Sequence, residues 1–162
     1  MVTKRSDTRE TMQKKFFMAK ALLMATPIFS YIYITMKASM NGIYMQELLS
    51  QDPATTIILV NSMLNAYGAY LLHLAENNFE KAKTKSAVIN IGLLTISQAL
   101  SRNVFCFIVL LFVAVRAIRF YGIFVKDTLR SITVKQFFYD GGGSLIIVLL
   151  NTLMLYATIK LM

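Results

Sequence analysis

Residues 86–115 read SAVINIGLLTISQALSRNVFCFIVLLFVAV, thirty residues with one charged side chain, Arg102, near the middle. Two readings compete for this run. It is either one long tilted helix, or a hairpin of two short helices, 86–101 and 103–120, turning at Ser101, Arg102 and Asn103. Length favours the single helix, because sixteen residues from Ser86 to Ser101 reach only about 24 Å against a hydrocarbon core of about 30 Å. Charge favours the hairpin. With the N-terminus inside, a hairpin puts thirteen Lys and Arg on the cytoplasmic side and three outside, whereas a single helix gives nine and six. Cationic loops stay preferentially on the cytoplasmic side, and local bilayer thinning absorbs the short span at modest cost. The run is therefore read as a hairpin.

Working outward, three more apolar runs appear at 16–36, 54–74 and 144–161, so the chain reads as an all-α polytopic transmembrane bundle of four or five spans. Asp52 followed by Pro53 marks the second helix start, as an N-cap residue followed by proline in the first turn. Composition agrees. Of 162 residues, 56% are hydrophobic and 15% charged, against roughly 45–50% and 25% in a soluble domain. Residues 1–15 are polar and assigned to the cytoplasm, and 16–162 form one transmembrane domain. The apolar run after the basic N-terminus lacks a small-residue cleavage site and is kept as a helix. The expected location is a cell membrane.

Several chemistries lack their parts. One His and one Cys cannot supply an ordinary zinc site, and no motif for a nucleophile, phosphate loop or metalloprotease is present. Cys106, among Phe105, Phe107 and Ile108, reads as an inert packed thiol. All eight carboxylates fall in predicted loops, tails or interfacial stretches, which leaves no acid at midplane for a proton-driven carrier. Neither a catalytic role nor a cofactor is expected. Lys20, just inside the first helix, is expected to extend its amine to the headgroups.

The buried polar residues form two stripes. Asn61 and Asn65 share a face of the second helix with Gly68, while Asn90, Ser97, Gln98 and Ser101 lie on the next. Such stripes serve either helix packing, through amide hydrogen bonds and close approach at small residues, or the lining of a solute path. His73, near the inner end, is either a hydrogen-bonded neutral imidazole or a proton relay. Pro27 removes a helix hydrogen bond and predicts a bend, with Thr26 and Ser30 near the freed carbonyl. Gly141, Gly142 and Gly143 predict a second hinge, ahead of the last helix, with Ser144 as its cap.

After the hairpin, residues 116–132 have helical amphipathicity. Arg116, Arg119, Lys126 and Arg130 share one side, and Ile118, Tyr121, Val125, Leu129 and Ile132 the other. This predicts a surface helix held by anionic lipid headgroups, or a docking surface for a partner. Arg102 is placed with this set as an anion contact. Topology accounts for the net charge of +9, so no nucleic acid is implied. The function expected from these residues is that of a non-catalytic accessory, regulatory or immunity-type subunit of a larger membrane complex. The alternative is a small homo-oligomeric transporter or channel with an Asn/Gln-lined path.

Overall fold

A computed structural model describes the backbone of residues 2–161 and the side chains of residues 9–160 other than Leu129. Seven helices and no strand occur among the described residues: α1 (Val2–Met40), α2 (Met45–Gln51), α3 (Pro53–Glu80), α4 (Thr84–Leu100), α5 (Val104–Phe120), α6 (Val125–Arg130) and α7 (Val134–Leu161). Three are long and apolar enough to cross a membrane: α1 over Arg9–Met40, α3 over Pro53–Glu80 and α7 over Val134–Lys160. The decisive run is broken at Ser101, Arg102 and Asn103, giving two packed 17-residue helices, α4 and α5. Asn103 starts α5 by accepting a hydrogen bond from the Cys106 amide at 3.3 Å.

Local chemistry explains the ends. Asp52 accepts from the amides of Ala54 and Thr55 at 3.1 and 3.3 Å and Pro53 takes the first turn, which starts α3. Helices α1 and α5 each close on a glycine in the left-handed region, Gly42 at φ 66° and Gly122 at φ 63°. The two closing amides point back in the same way at both: Ile43 to the Ala38 carbonyl at 3.2 Å, and Ile123 to the Ile118 carbonyl at 3.0 Å. This is the Schellman arrangement, which satisfies the last carbonyls of a helix.

The segment assigned as a polar N-terminus is helical from Val2, and α1 runs through residue 15 without interruption. A stripe of Met12, Phe16, Ala19 and Leu23 is buried on it. Phe16 meets Phe79 of α3 with ring centroids 6.2 Å apart. Helices α3 and α4 occupy the middle of the bundle. Helix α1 packs on α3 and α5, and α7 packs on α4 and α3. Pro27 lies inside α1, and the Thr26 hydroxyl donates at 2.7 Å to the Leu23 carbonyl, the acceptor that Pro27 cannot serve.

Two sequence expectations are corrected. Residues 116–132 are not one amphipathic helix: α5 stops at Phe120, and α6 begins only at Val125. Gly122 takes the left-handed conformation a closing residue needs, so the local terminator overrides the amphipathic period. The break expected at Gly141, Gly142 and Gly143 is also absent, because α7 starts at Val134 and continues through all three. There the glycines allow close approach. An ideal Cβ on Gly141 would stand 2.7 Å from Ile89 Cγ2, and one on Gly143 would stand 3.0 Å from Leu71 Cδ2. Each glycine costs roughly 1 kcal/mol of helix propensity, offset by the packing of α7 against α4 and α3.

Candidate functional site

The polar side chains gather at three levels between the helices. At the level where α3 ends, Lys20 Nζ of α1 lies 2.6 Å from Glu76 Oε2 of α3. Their side chains are only 22% and 11% exposed. His73 Nδ1 stands 3.7 Å from the same carboxylate oxygen, and its Nε2 lies 3.3 Å from the Asn77 amide nitrogen. One turn further along, Glu80 accepts from Gln13 Nε2 at 2.9 Å and has the Arg9 guanidinium 3.6 Å away. Tyr121 stacks on Phe79 at 5.1 Å. Burial, with Glu80 and Glu76 nearby and Arg9 opposing, pushes the Tyr121 phenol up from its ordinary value.

Glu76, near the end of α3 and past the point where a 21-residue span would have stopped, is a buried carboxylate. Lys20, expected to extend its amine to headgroups, pairs with it across the helix interface.

The middle level is made of amides. Gln98 Nε2 donates to Asn65 Oδ1 at 2.8 Å, joining α4 to α3. Asn90 Nδ2 donates to the Asp140 carbonyl at 3.0 Å, while Ser144 Oγ donates to Asn90 Oδ1 at 2.7 Å, joining α4 to α7. Further along the same pair of helices, Asn151 Nδ2 donates to the Ser97 carbonyl at 3.1 Å. The two predicted stripes therefore meet in one place only. Asn65 and Gln98 are brought together, Asn90 faces α7, His73 belongs to the ion-pair level, and Asn61 opens onto a cavity instead.

That cavity, about 390 Å³, lies between α1, α3 and the α4–α5 turn, with Asn61 and Arg102 in its lining. Beyond it, where α3 begins, Lys37 Nζ contacts Asp52 Oδ2 at 2.6 Å and Thr55 Oγ1 at 2.9 Å. Hydrogen bonds from Lys37 and Thr55 hold the Asp52 carboxyl well below the ordinary carboxylate range.

The predicted basic set is divided. Arg102 stands at the α4–α5 turn, while Arg116, Arg119, Lys126 and Arg130 are exposed at the opposite end of α5 and on α6. The Lys85 amine donates to the Ser131 carbonyl at 3.0 Å and so ties α6 to the start of α4. Sequence reasoning missed Glu76, Asn151 and the Lys37–Asp52 pair. A signal existed for Asn151, which lies on one face of α7 with Asp140, Ser144 and Ile147 at helical spacing. Among the described residues no cluster of His, Cys, Asp and Glu is arranged to hold a metal, and Cys106 is buried. Compared with protein-family models, curated proteins and solved structures, the chain matches none.

Proposed function

We propose that the chain is a non-catalytic integral membrane subunit that binds a larger membrane complex through an apolar groove over α4. The groove carries the reading. It encloses about 580 Å³ between α5 and α7, with Leu111 and Ala114 on one wall, Phe137 on the other, and Gly92 and Ala99 of α4 between them. A Cβ built on Gly92 meets nothing within 4 Å. Association of helices in lipid relies on close packing at small residues, and this open glycine suits the approach of a transmembrane helix from a partner. The amides of Asn65, Asn90, Gln98 and Asn151 join the bundle's own helices, which supports work by contact over passage of a solute.

In this reading the chain crosses the cell membrane five times, with α4 and α5 as the two short spans and the N-terminus cytoplasmic. Phe105, Ile108 and Phe112 lie exposed along α5, as a lipid-facing side requires. Single thiols at Ser101 and Ser131 in a Cys106→Ala background test this. Position 101 labels from outside intact cells and position 131 only after permeabilisation; both labelling from the same side refutes five spans.

Gly92→Leu is the functional test. The side chain enters open space and replaces a glycine inside a helix, so the melting temperature in detergent does not fall and rises slightly with helix propensity. A cross-linkable thiol at position 92 gives one defined adduct in native membranes, and capture of that same partner by the Gly92→Leu variant falls about tenfold. The absence of any adduct at 92, or undiminished capture by Gly92→Leu, overturns the reading.

A second reading, a small oligomeric transporter, is favoured by the Lys20–Glu76 pair, since an ionisable pair among spanning helices commonly marks an ion or proton path. Its test is solute flux through proteoliposomes holding this chain alone.

A further inference from the structure

We propose that the cavity at the α4–α5 turn binds the headgroup of an anionic glycerophospholipid. Helices α4 and α5 have 17 residues each, about 25 Å at 1.5 Å per residue, against a hydrocarbon core of about 30 Å. Their connecting turn is level with Asn61 and Asn65, not with the start of α3 at Pro53, because these residues line one cavity. On the five-span reading proposed above, this sets a polar turn below the membrane boundary, where it needs polar covering.

The cavity is furnished for it. Thr26 and Ser30 of α1, Asn61 and Asn65 of α3, and Ser101 and Arg102 of the turn are in its lining. Arg102 holds φ 57°, a left-handed conformation that costs a non-glycine residue roughly 1–2 kcal/mol. Among the described residues no carboxylate pairs with its guanidinium. The Asn61 amide is in the lining, but its Oδ1 is shut off from solvent and does not face the cavity. The site thus offers one unpaired cation among neutral polar side chains, and its complement is an anion.

A lipid phosphodiester supplies that anion. Arg pairs with phosphate through two parallel N–H···O bonds. Phe29 and Ile58 also line the cavity and are exposed, giving apolar surface for the attached acyl chain. A volume of about 390 Å³ is within the usual range for small-molecule sites. This apolar rim, on helices long and apolar enough to cross a membrane, is why the anion is assigned to a lipid and not to a soluble phosphate.

The test uses the full-length protein in nanodiscs of phosphatidylglycerol and phosphatidylcholine with identical acyl chains, read by the lipid retained on native mass spectrometry. Wild type retains phosphatidylglycerol about tenfold over phosphatidylcholine. Arg102→Gly, which suits the positive φ while deleting the cation, reduces that preference to near unity. Equal retention by wild type, or selectivity unchanged in Arg102→Gly, overturns the proposal. So does full displacement of the lipid by free glycerol phosphate, which assigns the site to a soluble anion. The readout is lipid composition, so it is independent of whether a partner occupies the groove over α4.

Discussion

Glu76→Ala is expected to cost about 3 kcal/mol of stability, the largest single loss outside the apolar core. Removing one member of a buried ion pair strands the other, at roughly 3–5 kcal/mol. The lower figure applies because Lys20 keeps 22% of its side chain exposed and recovers part of its hydration when released. His73, 3.7 Å from the carboxylate, does not replace the lost partner, because it offers no negative charge. The paired substitution Lys20→Met with Glu76→Leu is expected to return stability to within about 1 kcal/mol of wild type, since well-packed apolar residues often match a buried pair. Unfolding in mixed micelles, analysed as a double-mutant cycle, measures both outcomes. A loss under about 0.5 kcal/mol for Glu76→Ala would mean that the pair is hydrated and contributes nothing.

Gly141→Leu is the second large effect, at about 3 kcal/mol. Its Cβ would begin 2.7 Å from Ile89 Cγ2 and 3.2 Å from Leu93 Cδ1. A β-branched Ile has little χ1 freedom in a helix, so α7 must move away from α4 instead. Overpacking of this kind costs typically 1–3 kcal/mol. The shift also strains the hydrogen bonds from Asn90 to the Asp140 carbonyl and from Ser144 to Asn90, on either side of Gly141. The adjacent Gly142→Ala supplies the control. Nothing lies within 4 Å of its Cβ, so only helix propensity changes, with a gain of up to about 1 kcal/mol. Equal effects at the two positions, measured by thermal melting in one detergent, would refute the close-approach account.

These two positions show where reading the chain succeeded and where it fell short. The helical breaks at Asp52–Pro53 and Ser101–Asn103 were legible because their causes are local: a cap, a proline, and a polar interruption in an apolar run. Gly122 was equally local but was outweighed by an amphipathic pattern that continues on both sides of it. The glycine run was misjudged for another reason. A glycine that ends a helix and one that admits a neighbouring helix look alike until the neighbour is known, and Ile89 is more than fifty residues away along the chain.

The candidate site divides in the same way. Which residues are polar within apolar helices is plain from the sequence, and so is the predominance of helices suited to lipid, because a backbone in hydrocarbon must satisfy its own hydrogen bonds. Which polar residue meets which is set by helix packing. Asn65 finds Gln98, Asn90 finds Ser144, and Lys20 finds Glu76 across a separation of 56 residues. Lys20 and Glu76 each look expensive in isolation and acquire a role only when α1 and α3 bring their charges together. One-dimensional hydropathy contains the cost of burying each group but not the position of its partner, and it is the partner that sets the free energy.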